Sequence, residues 1–376
     1  MNRLEYLLAA ALLRILGAAF SLLPGRPRRV VLATARVPVL DGNLLHIERA
    51  IRRLRPSAEI VVLAEPYGYG LRGKVAYALR VVRGMYHLRT AGLIVLDNAY
   101  LPVHVAPHPR RTTVVQVWHA VGALKRFGRD TATPLGEPER TFLHRHYDVV
   151  VTSGAAAREP WSRAFGTPVD RVLPLGAART DFFFDASALA AARARVLASH
   201  PALRGRRVIL HAPTFRGRGR GKHPGSGFDA PRLRAALPES DALVLKSHPN
   251  LDSRLVARAG YDVVADPAAE MNDLLAAADV LITDYSSSIF EWALLRRPLL
   301  LHLPDLAAYE RDPGLYMDLE AERPGTIAIA MDEVIAALTG PGPAVPDEVF
   351  IRRHLDACDG HASERFVERF VPTAAA

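Results

Sequence analysis

The chain is poor in several things that would direct a reading elsewhere. One cysteine, Cys358, in 376 residues excludes a disulfide scaffold and an all-cysteine metal site, and fits a reducing compartment. There is no GxxxxGK[ST] phosphate loop, no HExxH and no GxSxG. Walker-type nucleotide hydrolysis, zincin chemistry and the α/β-hydrolase mechanism are therefore unsupported. The arginines lack interleaved aromatics and no zinc-finger spacing occurs, so nucleic acid is not the expected partner. Disorder is excluded too, because 49% of the residues are hydrophobic and 23% charged.

Long apolar runs are also scarce. The longest, Leu7 to Leu23, is interrupted by Arg14 and sits at the lower limit for spanning a bilayer, where ~20 residues are usual. An arginine inside the apolar core also argues against a signal peptide. On a helical projection Arg3, Arg14, Gly17 and Ser21 share one stripe, while Leu4, Leu8, Leu12, Ile15 and Leu22 lie elsewhere. The run reads as an amphipathic helix (1–25), lying on a membrane surface or packed on its own domain. Arg26, Arg28 and Arg29 directly follow it and would suit anionic headgroups.

Charge is unevenly spread. The net charge is +9, yet Met1 to Leu96 holds fifteen basic residues against five acidic ones, and the remainder is nearly neutral. An anionic partner of the N-terminal part is expected, either a membrane surface or a phosphate polymer.

From Arg28 onward, short β-branched runs alternate with helical stretches. RRVVLATA (Arg28–Ala35), EIVVLAE (Glu59–Glu65), GLIVLDN (Gly92–Asn98), TTVVQVWH (Thr112–His119) and DVVVTSG (Asp148–Gly154) read as strands, with a helix at Asn43–Leu54. An alanine-rich helix runs through about Ser199. A second series follows: Arg206–Phe215, Asp241–Pro249, Asp279–Ser287 and Arg297–Asp305. This is the rhythm of parallel sheets covered on both faces, and it predicts two successive open α/β units joined near Asp185. Arg216–Phe228 is glycine-rich without an apolar anchor and reads as a flexible loop.

Ligands of open α/β sheets sit beyond the carboxyl ends of strands. The strongest such site is Thr283-Asp284-Tyr285-Ser286-Ser287-Ser288, which ends one strand and opens a helix. Hydroxyls and free N–H groups at a helix N-terminus suit phosphate, although plain N-capping is the simpler alternative. His248 follows a strand in Lys246-Ser247-His248-Pro249, with Lys246 adding a cation. His119 ends another strand and titrates in the range useful for general-base work, with Lys125 and Arg126 nearby to stabilise negative charge. A core histidine beside Trp118 is the structural alternative. Arg216, in His211-Ala212-Pro213-Thr214-Phe215-Arg216, could contact a phosphate through two nitrogens.

Six ordered motifs resemble those of the CDP-glycerol glycerophosphotransferase family, the teichoic-acid primases and polymerases. They are VVQVWHAVGALKRFG (Val114–Gly128), LGAARTD (Leu175–Asp181), HAPTFR (His211–Arg216), KSHP (Lys246–Pro249), ITDYSSSIFE (Ile282–Glu291) and DGHASER (Asp359–Arg365). The resemblance implies a GT-B fold, in which two Rossmann-like domains (26–185 for the acceptor, 186–355 for the donor) face a cleft. A C-terminal helix (356–376) would cross back to the first domain. It implies transfer of glycerol phosphate from CDP-glycerol to a hydroxyl of a lipid-linked or phosphate-polymer acceptor, with release of CMP and no metal or cofactor. The enzyme would be peripheral, at the cytoplasmic face of the membrane. His119 would be the general base. His248, Ser286 and Ser287 would hold the donor pyrophosphate, with Arg216, Lys246, Asp284 and Ser288 beside them. Ser247 stands where the family carries arginine, and Ala178 where it carries proline, so CDP-ribitol or a nucleotide sugar stand as alternative donors. A non-catalytic scaffold is the remaining alternative.

Overall fold

The computed structural model describes residues 3–64, 70–131, 142–217, 222–225, 227–248, 251, 253–255 and 257–373. The chain divides into two compact units, one formed by 1–181 with 355–376 and the other by 182–354.

The first unit opens with helix α1 (Arg3–Phe20). It continues with β1 (Arg26–Thr34), α2 (Gly42–Leu54), β2 (Glu59–Ala64), α3 (Gly70–Thr90), β3 (Ala91–Leu96) and α4 (Leu101–Val105). Strands β4 (Thr113–Gln116), β5 (Val149–Val151) and β6 (Val172–Leu173) complete a six-stranded parallel sheet of order β2-β1-β3-β4-β5-β6. These strands are short apolar runs because both faces are covered. One face packs Leu32, Val95 and Val115 against Leu44, Ile47 and Ile51 of α2. Phe366 and Val367, from the C-terminal helix Ala362–Phe370, join the same core. Asp181 accepts hydrogen bonds from the N–H groups of Ala362 and Ser363 at 2.9 and 2.8 Å, pinning that helix start to the first unit.

The second unit follows the alanine-rich helix Ala186–Ser199. Its strands are β7 (Arg207–Ala212), the short antiparallel pair β8 (Phe215–Arg216) and β9 (His223–Pro224), then β10 (Asp241–Leu245), β11 (Val263–Val264), β12 (Val280–Thr283), β13 (Leu299–His302) and β14 (Thr326–Ala328). The main sheet is parallel with order β11-β10-β7-β12-β13-β14. Strand order reverses between β1 and β3 in the first unit and between β7 and β12 in the second, and crevices at such points are where doubly wound sheets bind ligands.

The segment expected as a flexible loop departs from that expectation where it is described. Phe215 pairs with Pro224 and Arg216 with His223, so its start and return form a hairpin; residues 218–221 and 226 lie outside the described residues.

Helix α1 also differs from the projection. Ala10, Leu13 and Gly17 are buried, and Gly17 packs closely on Arg89 and Met85 of α3. The Nε of Arg14 donates to the Val105 carbonyl at 2.8 Å. Ala10, Leu13 and Gly17 thus face the protein body, while Arg14 and Ser21 are exposed together with Leu8 (63%), Leu12 (57%), Ile15 (68%) and Leu22 (88%). No described helix is long and apolar enough to cross a membrane. Of the basic cluster after α1, Arg26 and Arg28 are exposed, but Arg29 is buried and donates to Glu59 at 2.6 Å. Its expected availability to headgroups is therefore corrected, because the β1–β2 pairing brings Glu59 opposite it.

Candidate functional site

In the first unit β4 ends at Gln116, three residues before His119, so His119 sits on the turn beyond the strand rather than within it. Its Nδ1 lies 3.2 Å from the main-chain carbonyl of Asp97, at the carboxyl end of β3. A carbonyl only accepts, so Nδ1 carries the proton and Nε2 is left as the basic nitrogen. Arg179 Nη1 donates to the His119 carbonyl at 3.2 Å. Asp97 is itself buried, with burial pushing its carboxyl up to about 6 against the pull of Arg36, whose Nε lies 3.6 Å away. Arg36 also donates to both oxygens of Asp41 at 2.8 and 3.0 Å. Lys125 is half-buried and Arg126 exposed on the segment after His119.

In the second unit the strand ends at the β7/β12 reversal are knotted together by Asp284. Its Oδ1 accepts from the N–H and hydroxyl of Thr214 at 2.8 and 2.9 Å, and its Oδ2 from Arg216 Nη1 at 2.9 Å. The remaining edge of Arg216 is committed to Asp305, through Nε at 2.7 Å and Nη2 at 3.1 Å. The guanidinium also lies 4.9 Å from the ring centres of Tyr285 and Tyr309, which stack on each other at 3.7 Å. Two carboxylates hold its pKa well above the ordinary value despite burial, which opposes them. Arg216 was expected to offer two nitrogens to a phosphate; here that fork belongs to Asp305.

Lys246 likewise turns from the expected anion. It is buried, its Nζ donates to the Pro267 carbonyl and to that of Asp266 at 3.2 Å, and burial lowers its pKa. Ser286 Oγ accepts from the Ser288 N–H at 3.2 Å and from the buried Ser288 hydroxyl at 2.8 Å. Ser287 stands at the N-cap of the helix Ser288–Leu295, half-buried, and its side chain makes no cap hydrogen bond. Capping thus occupies Ser286 and Ser288, and Ser287 is the hydroxyl that capping does not use. His248 is half-buried, edge-on to Phe215 at 4.8 Å.

A cavity of about 110 Å³ opens beside this knot, lined among others by His211, Thr214, Arg216, Phe228, Tyr261 and His302. That is several times the ~10–15 Å³ that holds one water. Burial brings the His211 pKa down to about 3, so its ring is neutral; it stacks on Phe228 at 3.7 Å and bonds the Tyr261 hydroxyl at 2.6 Å. Lys246, His248 and Ser286–Ser288 do not line this cavity. Among the described residues no three His, Cys, Asp or Glu side chains converge as metal ligands would.

Sequence reasoning missed Asp97, Asn43, Arg179 and Asp305. Asp97 ends a strand and could have been found by the rule applied to His119. Asp305 likewise closes the strand segment Arg297–Asp305, and Arg179 lies inside a quoted motif, whereas nothing in the local pattern marks Asn43.

Two parallel doubly wound sheets define an α/β protein of the GT-B-like kind. The chain belongs to the CDP-Glycerol:Poly(glycerophosphate) glycerophosphotransferase family, whose profile matches residues 16–371. It is 32% identical over 369 residues to a teichoic acid ribitol-phosphate primase of Bacillus spizizenii, covering 94% of each chain. It is 30% identical to a teichoic acid poly(ribitol-phosphate) polymerase of the same organism, spanning 98% of this chain but only 60% of that protein. A teichoic acid glycerol-phosphate primase of Bacillus subtilis is 26% identical, over 78% of this chain and 77% of the relative. The wall teichoic acid polymerase TagF superposes with a TM-score of 0.73 at 18% identity, covering 98% of this chain and 95% of the TagF chain, and shares the fold.

Proposed function

We propose that this protein transfers a polyol phosphate from a CDP-polyol to a hydroxyl of a membrane-linked teichoic-acid-type acceptor, releasing CMP. The observation that carries this reading is His119, whose Nδ1–H is held by the Asp97 carbonyl so that Nε2 is the proton acceptor. In the proposed step Nε2 takes the acceptor hydroxyl proton while the hydroxyl oxygen bonds to the distal phosphorus of the donor. The phosphoanhydride bond breaks and its electron pair leaves with CMP. In the second unit His248, Ser287 and the N–H groups at the start of helix Ser288–Leu295 hold the pyrophosphate, a helix N-terminus being favourable for anions. Arg216 and Asp284 act by fixing the strand ends that present these groups.

Family membership leaves two polyols. CDP-glycerol is the donor that the motifs suggest, and CDP-ribitol is favoured by a specific observation. The ribitol-phosphate primase matches at higher identity and coverage than the glycerol-phosphate primase. A donor comparison reading CMP release decides between them.

We further propose that the exposed face of α1 docks on the membrane. Leu8, Leu12, Ile15 and Leu22 would each contribute ~1.5–3 kcal/mol if fully buried in lipid, and exposed Arg26 and Arg28 would meet anionic headgroups.

A further inference from the structure

Trp118, immediately before His119, has a φ of 52°. A bulky non-glycine residue in the left-handed region is strained and persists only where its surroundings over-determine it. Among the described residues His144, His146, Arg296 and Arg323 share this conformation; Arg296 and Arg323 cap the C-terminus of a helix, where it is common, and histidine tolerates it better than a bulky tryptophan. Trp118 caps no helix and follows a strand.

Its surroundings are specific. The Trp118 N–H donates to Gln116 Oε1 at 2.9 Å. Asn43 Nδ2 donates to the carbonyls of Val117 and Trp118 at 3.1 and 3.0 Å. Asn43 Oδ1 accepts from the Arg179 N–H at 2.9 Å, and Arg179 in turn donates to the His119 carbonyl. Only one orientation of the Asn43 amide satisfies two carbonyls and one N–H together. Asn43 is 2% exposed, in the first turn of α2 and directly after Gly42, whose φ is 47° and whose added Cβ would stand 3.3 Å from Arg179 Nη1.

We propose that Asn43 is a positioning residue for this reaction: it clamps the strained Trp118 turn so that the His119 ring reaches the Asp97 carbonyl and presents Nε2. This rests on the reading of His119 as general base. No other residue type of this size supplies donors to two adjacent carbonyls and an acceptor to a third main-chain group. Aspartate in its place has the same shape, yet turns two attractions into repulsions.

The test is steady-state CMP release from CDP-ribitol and CDP-glycerol by the full chain, wild type against Asn43→Asp and His119→Ala. Circular dichroism fixes the folded fraction of each. A misplacement of about 1 Å can cost ~10²-fold in rate, so kcat of Asn43→Asp should fall about 10²-fold. Its KM for the donor should stay within about two-fold, and the acid limb of its pH–kcat profile should move. A purely structural asparagine would lower activity only in step with the folded fraction and leave the pH profile in place. Should Asn43→Asp not fold, Gln116→Met removes the other clamp of Trp118 and should show the same split at about 10-fold. Wild-type kcat and pH profile in the folded variant, with His119→Ala inactive, overturn the positioning role alone. Wild-type turnover in His119→Ala overturns the base assignment and the positioning role together.

Discussion

His119 and Asp97 meet through a main-chain oxygen: the imidazole Nδ1–H points at the Asp97 carbonyl, not at its carboxylate, across 3.2 Å. The carboxylate lies buried on its own side chain, answering to Arg36. The ring is therefore oriented by a neutral acceptor, which fixes its tautomer without adding a charge to it.

That arrangement makes Asp97 a stability liability at high pH. Its folded-state pKa of about 6 lies above the ordinary 3.8, so the penalty is fully present above pH 6 and vanishes as pH falls toward 3.8. The gap corresponds to about 3 kcal/mol. Asp97→Asn should gain up to that amount at pH 8 and nothing at pH 4, in urea titrations at both pH values. A variant equally destabilised at both would show that the carboxylate is a needed partner of Arg36.

Arg216 separates a structural role from a binding one. Its side chain and that of Asp284 are 14% and 8% exposed, and removing one partner of a buried pair costs ~3–5 kcal/mol. Arg216→Met should unfold the second unit at markedly lower denaturant, read by hydrogen exchange in β7 and β12. A variant of unchanged stability that has lost donor affinity would restore the phosphate contact expected from the sequence.

Acid should destabilise both units. Burial holds His104 and His211 near pKa 3, below the ordinary 6.5, so the neutral folded state loses stability as pH falls from 6.5 toward 3. Each contributes about 2 kcal/mol of loss at pH 5. Melting between pH 7.5 and 4.5 should show this fall, and His211→Asn should flatten it in the second unit. A flat profile in the wild type contradicts the neutral assignment.

The α1 face has its own trial. Leu12→Glu with Ile15→Glu should abolish sedimentation with vesicles of anionic lipid while leaving the melting temperature within a few degrees, because both side chains are exposed. Undiminished sedimentation would remove α1 from the membrane contact.

The sheets are legible because parallel strands buried on both faces leave unbroken runs such as VVLAT and LIVL. What the sequence marks locally is position after a strand: His119 follows β4, and Asp284 and the three serines follow β12. Partners are not marked. Arg216 and Lys246 carry the charge a phosphate needs, yet Asp305 lies 89 residues from Arg216 and the Pro267 carbonyl 21 from Lys246. Cations find such distant acceptors only through the fold. Asn43 escaped notice for the same reason: its bonds reach 74 and 136 residues along the chain. The projected stripe of α1 does not behave as one face: Arg14 and Ser21 are exposed, and Gly17 is buried, where its lack of a side chain admits Arg89 and Met85.

The central claim is that His119 deprotonates the acceptor in CMP-releasing polyol-phosphate transfer. Its direct measurement is CMP release from CDP-ribitol and from CDP-glycerol, with lipid-linked acceptor in vesicles, by wild type and His119→Gln. The account predicts CMP release by the wild type from at least one donor, and a kcat lower by ~10²–10⁴-fold in the folded variant. Equal rates in the two proteins, or a nucleoside diphosphate in place of CMP, would contradict it.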